Sequence, residues 1–547
     1  MYGIRSALLC GTAAVTALGA AHAADLPVKK AAPIEYVRVC GAYGAGFFYI
    51  PGTDTCIRVS GRARFEAGTI PNPDRSRGSG DESQFRGLLR IAVDARTQTD
   101  YGTLRAFVRE EIASRSGTLL SSATQLRIAN AFFATGQDSY SRVQNFAVTE
   151  KAFIQFAGLT AGRASSFFDF YAHDYELIGT TGGSDIASTN LLAYTKTFDG
   201  GFSATISMED PAFRRQPVYS PNFTTTLPVA GTSTFLGLGT NAPAPIILTT
   251  NGAFDATSVA YLDAVQRSRL PDFVGVLRYD APWGSAQLSG ALHETNVGGF
   301  LSTAGSGAIA APSAAAAQAL LAARGVTSGA QTADGWAVQG GLKVNLPMIA
   351  PGDGFYLQGA YAEGAMSYTG YTYLTGSYST NLTPVQGASF NQYVPDAVVN
   401  PITGKLDLTK AFTVSAAYLH YWTPQWRSAF FGSYGQVNFN RGTRQAYSLL
   451  GTNFATGAPP SAFTNPAAFA VSPVLRDNAQ VTAGASIIWS PVKDLDIGVE
   501  GTYIGTSVLE GRVADATRPG NDVNGVPIHT VKRYDATQIR MRVQRDF

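Results

Sequence analysis

Residues 162–176 read Gly162-Arg163-Ala164-Ser165-Ser166-Phe167-Phe168-Asp169-Phe170-Tyr171-Ala172-His173-Asp174-Tyr175-Glu176, and a Gly/Thr/Ser tract follows to Asn190. The segments on both sides alternate apolar and polar residues, as β-strands do; this one does not. It interleaves Phe167, Phe168, Phe170, Tyr171 and Tyr175 with Asp169, Asp174, Glu176 and Asp185. A water-exposed loop gains little from so many aromatics, and a buried core gains little from so many carboxylates. A loop folded into the lumen of a wide barrel uses both, with rings on the wall and acids toward a water-filled passage.

The flanking strands fit such a barrel. Ile57, Val59, Gly61, Ala63 and Phe65 alternate with Arg58, Ser60, Arg62, Arg64 and Glu66, and the last strand sets Ile539, Met541, Val543 and Phe547 against Gln538, Arg540, Arg542, Gln544 and Asp546. A soluble sandwich shows the same alternation, so the connections decide. Long linkers at 67–84, 113–149, 164–189, 211–271, 295–335, 368–408, 441–479 and 506–533 alternate with short turns near 97–101, 158, 199–201, 281–284, 346–354, 423–425 and 491–494. The expected fold is all-β: a transmembrane antiparallel barrel of about sixteen strands with an inward-folded loop after strand 5 and both ends on the short-turn side. Trp283, Trp422, Trp426 and Trp489 lie beside short turns, where an aromatic girdle meets the membrane boundary.

Composition is compatible with this fold. Net charge is only +2, which argues against a nucleic-acid partner. Residues 1–23 read as a secretory signal: Arg5, an apolar run from Ala7 to Ala20, then Ala21-His22-Ala23. No later stretch is a credible membrane helix; Ser313–Arg324 reads as a short helix within a linker. Residues 24–56 form an N-terminal periplasmic or lumenal segment and 57–547 the barrel. Cys40 and Cys56 are the expected disulfide of an exported chain. His173, His293, His420 and His529 are scattered without ligand spacing, and no nucleophile accompanies Asp169 and Asp174. Neither an enzyme nor a cofactor is expected.

The chain resembles the alphaproteobacterial porins. The likeness rests on Ala24-Asp25-Leu26-Pro27-Val28-Lys29-Lys30, Tyr36-Val37-Arg38-Val39-Cys40, and the run from Ala42 to Cys56. Ser166-Phe167-Phe168-Asp169-Phe170-Tyr171-Ala172-His173-Asp174 and Ser188-Thr189-Asn190-Leu191-Leu192-Ala193-Tyr194 extend it. The match is dense over about the first 210 residues. It implies a trimeric sixteen-stranded outer-membrane barrel passing small hydrophilic solutes, narrowed by the loop after strand 5. The long inserts at 211–271 and 295–335, and Gly41 in place of an expected acid, depart from the pattern. Lipid and lipopolysaccharide are the expected surroundings. A substrate-selective channel of the same fold and a barrel displaying adhesive loops are the alternatives.

Within the lumen, Asp169, Asp174, Glu176 and Asp185 are the expected acidic side of a constriction. Arg58, Arg62, Arg64, Arg90, Arg105, Arg109, Arg540 and Arg542 are the expected basic wall. Opposed charges across a narrow passage produce a transverse field that orients dipolar solutes. The other arrangement open to these arginines is pairing with neighbouring acids.

Overall fold

The computed structural model describes residues 38–69, 83–116, 144–170, 175–177, 181–185, 188–216, 218, 245–249, 259–301, 330–371, 394–399, 405–444, 476–514 and 528–547. The signal segment, the 24–37 tail, the 313–324 segment, His173 and Asp174 lie outside them. Sixteen strands of the described residues form the barrel: β1 Thr55–Thr69, β2 Ser83–Thr99, β3 Gly102–Ser116, β4 Gln144–Phe156, β5 Leu159–Ala164, β6 Thr189–Thr197, β7 Phe202–Glu209, β8 Asp272–Ala281, β9 Gly284–Leu301, β10 Ala330–Asn345, β11 Gly354–Glu363, β12 Lys410–Tyr421, β13 Trp426–Asn438, β14 Asn478–Trp489, β15 Leu495–Val508 and β16 Arg533–Asp546. Each pairs antiparallel with its chain neighbours. β16 returns to β1, Arg62 opposite Asp546 and Thr69 opposite Ile539, so the sixteen strands close on themselves.

The faces follow the period-2 pattern. Outward positions are large, apolar and exposed, among them Ile206, Leu277, Leu288, Leu292, Phe430, Ile487, Val499 and Ile539. Such side chains cannot stay exposed to water over a whole barrel circumference, and lipid is the solvent that suits them. Inward positions are polar, charged or small, including Gln287, Ser289, Gln339, Gln358, Ser433 and Glu500. Among the described connections the short turns sit where expected. The two-residue turn between β4 and β5 needs Gly158: its φ is +87°, and a Cβ there would lie 2.7 Å from the Thr195 carbonyl oxygen.

Aromatic residues mark both rims of the apolar band. At the short-turn end Trp283, Trp422, Trp426 and Trp489 are all substantially exposed, and Trp426 stacks on Trp489 with centroids 5.8 Å apart. A second belt comprises Trp336 with Tyr361 at 5.4 Å and Phe412 with Tyr434 at 6.0 Å. Trp426 and Tyr434 share β13, and the strand between them rises about 26 Å, or about 20 Å after a tilt near 40°. That height matches a thin hydrocarbon layer.

Two segments add to the wall. Cys40 and Cys56 are disulfide-bonded, and Phe48–Tyr49 pairs with Cys56 and Ile57 at the start of β1. The barrel thus begins at Thr55, with Cys56 already inside its first strand. The clipped turn puts the buried ring of Phe47 beneath Arg58 and Arg96, both 5.0 Å from its centroid, on the inner face near the short-turn rim. Within the 211–271 insert, Pro245–Thr249 pairs with Val259–Arg267, and the latter pairs with Asn296–Leu301 above β8. This part of the insert therefore extends the wall.

Candidate pore and its constriction

The segment after β5 crosses the inner face of the far wall. The Phe168 carbonyl accepts from Ser289 Oγ at 2.9 Å and Gln339 Nε2 at 2.8 Å, both inward-facing on β9 and β10. Phe170 stacks on Tyr356 of β11 at 5.7 Å, and Tyr175 meets the same ring edge-on at 6.5 Å. The Leu177 N–H donates to Glu500 of β15 at 2.6 Å, and Arg542 of β16 donates to the Leu177 carbonyl at 3.2 Å. Further along, the Gly182 N–H donates to Ser433 Oγ of β13 at 2.7 Å. The aromatics lie on the wall, and several wall groups they cover are neutral amides and hydroxyls. Gly341 makes the fit possible, because a Cβ there would sit 2.2 Å from the Phe170 ring.

The acids of this segment are largely occupied. Asp169 accepts from Ser184 and from Arg214, the latter at 2.7 Å. Glu176 is buried and accepts both the backbone N–H and the hydroxyl of Thr181. Asp185 is half-buried. The first two carboxylates fix the segment's shape as much as they face any passage.

The opposite wall, β16 and β1 to β4, is ionic. Arg86 reaches Glu66 at 3.0 Å and Glu111 at 2.7 Å; Arg90 reaches Glu111 at 2.9 Å and Glu150 at 3.1 Å. Arg109 meets Glu150 at 2.8 Å, Arg105 and Arg96 share Asp94 at 2.9 and 2.8 Å, and Arg62 meets Asp546 at 2.6 Å. Arg64 pairs with Glu66 at 3.5 Å and donates to Gln544. Of the expected basic wall, Arg62, Arg64, Arg90, Arg105 and Arg109 therefore pair with neighbouring acids. Exposure is unequal within these pairs: Arg90, Arg105 and Arg109 keep 20–25% of their side-chain surface, whereas Asp94, Glu111 and Glu150 keep 0–7%. Guanidinium edges face the lumen and most carboxylates lie behind them. Asp546 is an exception at 41%. Arg540 is almost wholly buried and Arg58 half-buried over Phe47.

Strand parity brought these arginines onto one face, and it also covers Glu66, Arg86, Asp94, Arg96 and Glu111. It does not find Glu150. The β3–β4 register shifts at Arg109/Glu110, where Lys151 opposes Arg109 and Thr149 opposes Glu110. Glu150 is the extra residue of a bulge, which re-aims its side chain into the lumen. Arg214, from the long insert, left no local signal at all.

A family model described as Porin subfamily matches residues 25–522. Porin Omp2b of Brucella abortus (strain 2308) and Porin Omp2b of Brucella melitensis biotype 1 are each 30% identical over 294 residues. That alignment covers 52% of this chain and 64% of each relative, so the match spans less than two thirds of the relatives' own length. Among solved structures, the outer membrane channel DcaP of Acinetobacter baumannii is 13% identical, with a TM-score of 0.48, covering 91% of this chain and 99% of that one. The closed sixteen-stranded barrel and a family match over most of the chain make this protein a member of the Porin subfamily, a barrel of the bacterial outer membrane.

Proposed function

We propose that the barrel is a water-filled channel for passive diffusion of small hydrophilic solutes and ions, and that it favours anions. The observation carrying the ion preference is the exposure asymmetry: lumen-facing guanidinium edges backed by buried carboxylates. Among described inward positions of β16 and β1–β4, eleven basic side chains (Arg58, Arg62, Arg64, Arg86, Arg90, Arg96, Arg105, Arg109, Lys151, Arg540, Arg542) meet five acidic ones (Glu66, Asp94, Glu111, Glu150, Asp546). Pairing leaves that excess uncancelled, and a low-dielectric wall projects it into the lumen. The segment after β5 narrows the passage from the other side. Arg214 offsets the charge of Asp169, and Glu176 is buried against Thr181 away from the passage, so the transverse field is dominated by the basic wall.

The working unit is a homotrimer embedded in outer-membrane lipid and lipopolysaccharide. β5 has six residues and β7 eight, fewer than the 9–11 a tilted spanning strand requires. A neighbouring subunit, rather than lipid, covers that low stretch of wall. A channel selective for one class of anionic solute is the second reading, favoured by the extensive packing of the lumen on its neutral side.

The test is planar-bilayer recording of the folded protein under a salt gradient. Conductance that closes in three substeps, with a reversal potential toward the chloride equilibrium, supports the proposal. A cation-directed potential overturns the charge argument, and absence of conductance from inserted protein overturns the channel. Saturable block by a single anionic solute class favours the second reading.

A further inference from the structure

The connection after β11 also turns inward. Met366, Ser367, Tyr368, Thr369 and Tyr371 expose essentially no surface, and neither do Val394, Asp396 and Ala397. Their contacts are with the inner wall. Thr413 Oγ1 of β12 donates to the Thr369 carbonyl at 2.8 Å. Tyr368 packs among Val274, Val276, Ala291, Ala337 and Ala362 from β8 to β11. Inward positions beneath it are small, and on β13 a Cβ added at Gly435 would lie 2.9 Å from the Tyr371 hydroxyl. The wall is shaped to receive this segment.

The same segment presses on the loop after β5. Tyr368 meets Phe168 edge-on at 4.6 Å. A Cβ at Gly370 would lie 2.5 Å from the Gly183 carbonyl oxygen and 2.6 Å from its nitrogen. Both glycines have positive φ, +89° and +136°, so the two backbones meet where only glycine fits.

A buried polar network fastens the arrangement. Asp396 accepts the N–H of Gln216 at 2.6 Å and of Met366 at 2.8 Å, and faces His293 Nε2 at 3.4 Å. His293 Nδ1 meets Asp272 at 2.7 Å, and the second Asp272 oxygen accepts the Tyr368 hydroxyl at 2.7 Å. Burial and the Asp272 carboxylate push the Tyr368 phenol well above its ordinary range, so it remains a donor. Arg214 lies 4.0 Å from the Tyr368 ring centroid and 2.7 Å from Asp169. One connected network therefore joins β8, β9, the start of the 211–271 insert, the loop after β5 and the segment after β11.

We propose that residues 364–371 and 394–399 form a second constriction element, which sets the channel's size limit by occupying lumen cross-section and bracing the loop after β5. This deepens the channel reading and rests on it. Sixteen tilted strands give a backbone diameter of about 32 Å and about 22 Å between inward side chains. A segment packed one side-chain layer deep against six strands removes roughly a third of that opening.

The experiment compares wild type with Asp396→Asn and Tyr368→Phe, with Glu363→Gln on the outer face as control. Single-channel conductance and liposome swelling in mono-, di- and trisaccharides are measured on protein whose folded barrel is confirmed by heat-modifiable gel migration. Asp396→Asn puts an amide NH2 against backbone N–H donors, and conductance is expected to rise by roughly a third as the element loosens. Trisaccharide entry is expected to accelerate, while the control stays at wild type. If Asp396→Asn does not fold, Tyr368→Phe decides, since it deletes only the hydroxyl that holds Asp272. Conducting wild type with unchanged conductance and size limit in every folded variant overturns the second constriction. A non-conducting wild type overturns the channel reading instead.

Discussion

Replacing Glu150 by Gln tests how the lumen charge is built. Glu150 occupies a β-bulge and bridges Arg90 at 3.1 Å and Arg109 at 2.8 Å. The substitution keeps the shape and removes one negative charge from a wall already rich in guanidinium. A unit charge about 10 Å from a permeating ion in water contributes about 0.4 kcal/mol, screened to about 0.15 kcal/mol at 0.1 M salt. The effect has opposite sign for anion and cation, so the anion-to-cation permeability ratio rises about 1.7-fold at 0.1 M and only about 5% at 1 M. Reversal potentials in planar bilayers at the two salt levels read this directly. A shift toward cations, or no shift at 0.1 M from a folded channel, refutes the idea that the exposed arginine edges govern selectivity. A shift of equal size at 1 M refutes its electrostatic origin, since the Debye length there is about 3 Å.

Four further outcomes follow from the same geometry. Glu111→Gln removes the acid between Arg86 and Arg90, where Glu111 and Arg86 expose 0% and 2%; unfolding in lipid vesicles is expected to show a loss of about 3 kcal/mol. Glu150→Gln, whose arginines are 20% and 23% exposed, should lose about 1 kcal/mol after solvent screening, and equal losses would contradict the burial argument. Gly341→Ala drives a Cβ to 2.2 Å from the Phe170 ring, so conductance should change while the barrel still folds; wild-type conductance would mean that the Phe170 contact does not hold the constriction. Cys40→Ser with Cys56→Ser opens a link of sequence separation 16, with an expected loss of roughly 3 kcal/mol by chain entropy, measured as a lower urea midpoint.

The barrel was legible because its solvents are so different. Lipid outside and water inside impose period-2 alternation on strands such as Ile57–Glu66 and Gln538–Phe547, while an outer-membrane barrel tolerates long linkers on one side only. Those signals are local, and the strand count and the closure follow from them. Trp336 lies far from a short turn, and its place in the second belt appears only beside Tyr361.

The amino-acid sequence by itself determined the closed barrel and the disulfide-clipped start, because each depends on spacing along the chain. Tertiary structure alone decided which charges face water. Asp169 and Glu176 look free in sequence, yet they are engaged by Arg214 and by Thr181. Glu150 turns inward through a one-residue shift of register, and Asp272, His293 and Asp396 meet although more than a hundred residues separate the first from the last. Such encounters are set by closure of the sheet and by how its loops fold back on the inner wall, and no local periodicity encodes them.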